Sequence, residues 1–207
     1  RAVAEFLHAA PQEIIFTKNC TEAINLVART VGDTFGDDDD AVAISVLEHH
    51  SNIVPWLQLK ERRGVEVRWI DMRDDATLRM DDLDAALQQS RVRLVAVTAQ
   101  SNVLGVMPAL EEIIRRAHDA GALVLVDAAQ FAAHHPLNVR ALDCDFLTFS
   151  GHKLYGPTGI GVLYGKRSLL AAMPPFLGGG MMIQDVRKDG FVPADIPARF
   201  EAGTPPI

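Results

Sequence analysis

The stretch Leu123-Val124-Leu125-Val126-Asp127 sets four large apolar residues in a row and closes them with a carboxylate. A strand with one wet face alternates apolar and polar residues. One that is apolar throughout is covered on both faces, the condition of a parallel sheet between helices. Short apolar or β-branched runs of the same kind recur at 14–17, 41–47, 65–71, 94–98, 146–150 and 161–164. Amphipathic stretches at 21–30, 52–63, 81–89 and 108–120 read as helices. Asp81 is the expected N-cap of the third, and Pro108 suits the first turn of the fourth. Gly64 and Gly121 stand where a left-handed helix stop is wanted. This alternation predicts an α/β fold of three layers, a mostly parallel sheet flanked by helices, with function beyond the carboxyl ends of the strands. After Met173 the pattern loosens into Pro, Gly and Met, and an extended loop region is expected there.

The 207 residues, 48% apolar and 23% charged, suffice for a large globular core. A net charge of −7 disfavours nucleic acid or an anionic membrane as partner, while leaving room for a local anion pocket. The two cysteines cannot make a disulfide framework, which suits a reducing cytoplasm. The run Asp37 to Asp40 reads as a solvated loop; it lacks the alternate spacing and Gly turn of a calcium loop. The chain opens at Arg1 without Met and closes on Thr204-Pro205-Pro206-Ile207, so it is expected to be cut at both ends.

The unusual residues gather at the predicted strand ends. Asp127 needs a cationic or donor partner if buried, and Gln130 follows past two small alanines; capping of a following helix is the competing reading. Phe149-Ser150-Gly151-His152-Lys153-Leu154-Tyr155-Gly156-Pro157 reads as a tight ligand-facing loop. There Lys153 could reach a desolvated pocket as a nucleophile, and Ser150 and His152 could donate to a phosphate; a surface lysine on a turn is the alternative. Thr17-Lys18-Asn19-Cys20-Thr21-Glu22 fits helix capping and anion binding equally well. Cys20 there sits where a helix N-terminus could lower its thiol pKa, or it fills a small-residue slot. In Glu48-His49-His50-Ser51-Asn52 the adjacent histidines point opposite ways and make poor co-ligands for a metal; one imidazole stacked on a planar cofactor is the sharper reading. A nucleophilic lysine, a buried acid, a stacking histidine and an anion site together match what pyridoxal 5′-phosphate requires.

With these residues the chain resembles the class V aminotransferase superfamily, fold type I of the pyridoxal-phosphate enzymes. Within it the likeness is to group II cysteine desulfurases of the SufS/CsdA type, relatives of selenocysteine lyases. The segments that carry it are Thr21-Glu22-Ala23-Ile24-Asn25, Glu48 through Trp56, Ser101-Asn102-Val103-Leu104-Gly105, Val126 through Gln130, Leu142 through Phe146, Ser150 through Gly159, and Arg199 through Pro205. Gly178-Gly179-Gly180-Met181-Met182-Ile183 points to group II rather than group I.

The resemblance implies that Lys153 is the Schiff-base lysine and later general acid/base, and that Asp127 keeps the pyridine nitrogen protonated. It implies that His49 stacks on the ring and Gln130 meets the ring hydroxyl oxygen. Thr21, Ser150 and His152 would bind the phosphate, Asn102 would lie near cofactor and substrate carboxylate, and Thr204 would reach the phosphate of a neighbouring subunit in a homodimer. The implied reaction takes L-cysteine, or L-selenocysteine in a lyase, to L-alanine. Sulfur passes as a persulfide toward an acceptor protein for iron–sulfur cluster or sulfur-carrier supply. The family's acceptor cysteine and carboxylate-binding arginine belong to a C-terminal small domain that neither Cys20 nor Cys144 matches. Residues 1–207 are therefore expected to be the cofactor-binding large domain, without the N-terminal segment, turning over poorly or not at all alone. Another class V transaminase or epimerase, or a non-catalytic remnant, would share these residues.

Overall fold

A computed structural model describes residues 1–36 and 39–205. Its strands are β1 (Ile14–Thr17), β2 (Asp40–Ser45), β3 (Glu66–Ile70), β4 (Arg91–Thr98), β5 (Leu123–Asp127), β6 (Phe146–Ser150), β7 (Gly161–Gly165), β8 (Ile183–Arg187) and β9 (Gly190–Pro193). The helices are α1 (Ala2–Leu7), α2 (Cys20–Thr30), α3 (Val54–Arg63), α4 (Met80–Gln89), α5 (Leu110–Asp119), α6 (Val139–Leu142) and α7 (Arg167–Ala172). Seven strands form one sheet in the order β1-β7-β6-β5-β4-β2-β3, in which only β7 runs against its neighbours.

Alternate residues of each strand enter two cores, because successive side chains leave opposite faces of a strand. Val42, Ile44, Leu94, Ala96, Leu125 and Leu163 pack with α2, α3 and α7 on one face. Val95, Val97, Val124, Val126, Leu147 and Val162 pack with α1, α4 and α5 on the other. The result is the three-layer α/β sandwich. The β2-to-β3 and β4-to-β5 crossovers use opposite faces, which opens a crevice at the carboxyl ends between β2 and β4.

Several local expectations need correction. Helix α4 starts from Arg79, two residues ahead of Asp81; the Arg79 N–H is bound to the Asp71 carbonyl at 2.7 Å, and the extended chain ends at that point. Asp81 and Asp82 lie in the first turn, where they favour the helix dipole. Pro108 lies outside α5: Ala109 takes φ −74°, ψ 72°, an inverse γ-turn closed by the Leu110 N–H on the Pro108 carbonyl at 2.8 Å. The stretch after Met173 is not loop throughout, since β8 and β9 pair antiparallel. Asp40 is no solvated loop residue; it is buried, with Arg91 and Arg93 at 3.6 and 3.4 Å, while Asp39 is exposed and Asp37 and Asp38 lie outside the described residues.

Candidate active site

Thr17, Gly161 and Ser150 are ladder neighbours across β1, β7 and β6, so the start of α2 is laid directly over the end of β6. This requires glycine at 161: a Cβ there would stand 2.4 Å from the Asn19 carbonyl carbon. Asn19 caps α2 through Oδ1, which accepts the Glu22 N–H at 2.9 Å. The Cys20 N–H donates to Ser150 Oγ at 2.9 Å, which leaves the Ser150 hydroxyl proton free to be donated onward. Among the described residues no acceptor meets the Thr21 N–H. With the dipole of an eleven-residue helix behind it, this corner suits an anion.

Gly151–Lys153 form a single 3-10 turn after β6 and set Lys153 beside that corner. A cavity of about 290 Å³ brings together eight of the nine residues expected from sequence: Thr21, His49, Asn102, Asp127, Gln130, Ser150, His152 and Lys153. Thr204 is exposed, beyond Gly203, and does not line it. Asn19, Cys20, Ser51, Thr98, Gln100 and Ala129 complete the lining. Of these, Thr98 could have been found as the last residue of a predicted strand, whereas Gln100 and Ser51 carry no pattern of their own.

Asp127 ends β5 in the cavity's buried floor. Its Oδ1 accepts the Ala129 N–H at 2.9 Å and the Cys20 thiol at 3.4 Å. Among the described residues Oδ2 takes no hydrogen bond and is left for a donor in the cavity. Burial pushes the Asp127 carboxyl up, opposed by those two bonds and by the charge of Lys153. Burial, then the Asp127 charge, pushes the Cys20 thiol well above its ordinary value. His49 stands at the rim; its Nδ1 accepts the Ser51 N–H at 3.1 Å and lies 2.8 Å from Ser51 Oγ. The neutral ring therefore carries its proton on Nε2.

Behind His49 sits a network not anticipated from sequence. The buried Glu48 carboxyl accepts from the Ser45 hydroxyl, from Asn52 Nδ2 at 2.6 Å and from the Thr98 N–H at 2.8 Å. Burial raises its pKa to about 8 against the pull of those three bonds. Among the described residues no cluster of three or more His, Cys, Asp or Glu could hold a metal ion. An amine, a buried acceptor oxygen and an anion corner in one cavity can seat a flat ring that bears a phosphate and a carbonyl, with a base at hand for proton transfer.

Comparison with known proteins agrees with this geometry. A cysteine desulfurase of Dickeya dadantii is 56% identical over 207 residues, covering 99% of this chain and 50% of that relative. The solved cysteine desulfurase CsdA of Escherichia coli, in its S-sulfonic acid form, superposes with a TM-score of 0.94 at 44% identity, over 98% of this chain and 51% of that one. A C-DES mutant with glycine covalently linked to its PLP cofactor superposes with a TM-score of 0.87 at 26% identity, over 99% and 54% of the two chains. The chain thus spans about half the length of the curated relatives it matches. The aminotransferase class V family model matches residues 1–207, every residue that builds the sheet and the cavity at its edge, and the chain belongs to that family.

Proposed function

We propose that the cavity binds pyridoxal 5′-phosphate and that the chain is the cofactor-binding part of an enzyme that converts L-cysteine to L-alanine and passes the sulfur to a thiol as a persulfide. The observation that carries this reading is the meeting of Lys153, Asp127 and the α2 N-terminus in one cavity. The donor set fits the cofactor at each end: N–H and hydroxyl donors for a phosphate, an acceptor oxygen for a protonated ring nitrogen, and an amine for an aldehyde. The names of the desulfurase relatives support the substrate.

When bound, pyridoxal phosphate supplies an aldehyde that joins an amine covalently and a ring that withdraws electrons from the substrate Cα. The protein's part is binding, orientation and proton traffic. The Thr21 N–H, the Ser150 hydroxyl and His152 hold the phosphate. Oδ2 of Asp127 holds the proton on the ring nitrogen, and its burial keeps that bond away from competing water. His49 covers one ring face, Gln130 meets the ring hydroxyl oxygen, and Asn102 orients the substrate carboxylate. Lys153 holds the cofactor before substrate arrives and then moves the proton at Cα.

Neither thiol of this chain is suited to accept the sulfur. Cys144 is buried away from the cavity with its pKa pushed up to about 12, and Cys20 is held as a neutral donor to Asp127. A thiol outside residues 1–207 serves that role, with an acceptor protein beyond it. Two free cysteines fit a cytoplasmic setting. The exposed Thr204 fits contact with a second copy in a homodimer.

The test is a product assay on the full-length protein supplied with L-cysteine, in parallel with L-selenocysteine. The reading predicts L-alanine in step with released sulfur, abolished in Lys153→Ala. A keto acid product, or no L-alanine from cofactor-loaded protein, contradicts it.

A further inference from the structure

The proposed chemistry leaves Glu48 without a task, although it is the most deeply committed carboxyl at this end of the sheet. Its two oxygens reach in different directions. Oε1 takes the Thr98 N–H at 2.8 Å together with the Ser45 hydroxyl, and Oε2 takes Asn52 Nδ2 at 2.6 Å. The Asn52 orientation is fixed from behind, since Asn52 Oδ1 accepts the buried Trp56 Nε1–H at 3.1 Å. The backbone turn closes in the same place, with the Asn52 N–H on the His49 carbonyl at 2.7 Å. His49, His50 and Ser51 are thereby enclosed in a loop whose side-chain latch is Glu48 to Asn52. Thr98, at the other end of the carboxyl, is the ladder partner of Asp127, and the Ala99 N–H binds the Asp127 carbonyl at 2.8 Å.

We propose that Glu48 is a positioning residue that registers His49 against Asp127: one buried carboxyl ties the turn carrying the imidazole to the strand end beside the acid. The inference rests on the cavity being a pyridoxal-phosphate site, where these two side chains must address the same ring from its face and from its nitrogen. The network specifies an acceptor at both oxygens. Glutamine would put an N–H against either Asn52 Nδ2 or the Thr98 N–H, and Asn52 cannot turn without abandoning Trp56. A neutral carboxyl still fits, because its proton can go to Ser45 Oγ while both oxygens keep accepting. Exchanging the two partners, Glu48→Gln with Asn52→Asp, restores a matched pair: the glutamine amide donates to the aspartate, which still accepts from Trp56.

The experiment titrates pyridoxal phosphate into the full-length apoprotein by visible absorbance, with thermal midpoints measured alongside. Glu48→Gln is expected to weaken binding about tenfold, and the exchanged pair to recover most of that loss. In a His49→Ala background the same Glu48→Gln change should cost little, because the side chain being registered is gone. If Glu48→Gln does not fold, Ser45→Ala, which removes one of the three bonds, enters the same cycle with the same expectation. Equal losses with and without His49, or no loss at all, overturn the inference and leave the cofactor reading intact. Unsubstituted protein that develops no Lys153-dependent band overturns the cofactor reading itself, and this inference with it.

Discussion

Gly161→Ala tests the link between sheet packing and the anion corner. The added Cβ would stand 2.4, 2.5 and 2.8 Å from the carbonyl carbon, Cα and N of Asn19, against an ordinary contact of 3.4 Å or more. The shortfall is about 1 Å, and all three atoms are backbone, so no side chain can swing aside. Strand β7 is laddered on both sides at this residue, to Thr17 and to Ser150, so the displacement falls on the segment entering α2. A shift of that size breaks the 2.9 Å bond from the Cys20 N–H to Ser150 Oγ and moves the Thr21 N–H with it. Overpacking costs about 1–3 kcal/mol and the lost bond about 1 kcal/mol. For a domain of this length the midpoint should fall by about 5–15 °C. Pyridoxal phosphate should bind about tenfold or more weakly, since 1.4 kcal/mol is a factor of ten. Differential scanning fluorimetry and absorbance titration read the two effects. Gly178→Ala is the control, because a Cβ there meets nothing within 4 Å. A Gly161→Ala protein with the midpoint and cofactor affinity of the parent would show that the strand packing does not set the anion corner.

Four further outcomes follow from the same geometry. Trp56→Phe strands the buried Asn52 Oδ1 and should lower stability by about 1–3 kcal/mol in urea titration; an unchanged midpoint would contradict the network. Asp127→Asn offers the ring nitrogen an amide in place of a carboxylate and should weaken cofactor retention by about tenfold or more, with undiminished retention counting against the assignment. Cys20 and Cys144, both buried with raised pKa values, should resist a disulfide reagent at mildly alkaline pH in the folded protein and react in guanidinium; rapid labelling of either in the native state would disprove it. Glu48 keeps its proton to about pH 8 when folded but releases it near its ordinary value of 4.5 when unfolded. The unfolded state then binds fewer protons between those limits, so this group makes stability fall as pH rises through that window. Glu48→Ala should flatten the slope, and a slope unaltered by the substitution would contradict the burial argument.

The sequence exposed the fold where one cause acted alone. Strands β1, β5 and β6 fall on the expected residues because short apolar or β-branched runs have few other uses in a sheet flanked by helices. Helix starts misled, since they depend on which N–H groups are already taken: α4 starts at Arg79, ahead of Asp81, where the Asp71–Arg79 bond ends the extended chain, and the turn at Ala109 postpones α5. The β8–β9 hairpin carries no long apolar run: Gln184, Asp185 and Arg187 interrupt β8, Gly190 and Pro193 bound the short Phe191-Val192 of β9, and its side chains stay largely exposed. Thr21, His49, Asp127, Gln130, Ser150, His152 and Lys153 were legible because each lies within a few residues of a strand end, which the topology then gathers into one cavity, whereas Asn102 entered only through the resemblance. Glu48 was not, because its meaning depends on Thr98, fifty positions away, and on the orientation that Trp56 gives Asn52.

Whether the cavity takes pyridoxal phosphate through Lys153 decides everything built on it here. Borohydride reduction of the protein after incubation with pyridoxal phosphate, followed by peptide mass mapping, tests it most directly. A single stable phosphopyridoxyl adduct should form on Lys153, with the visible band absent from Lys153→Ala. No adduct, or one carried instead by the exposed Lys18 or by Lys166 at the far end of the sheet, would contradict it.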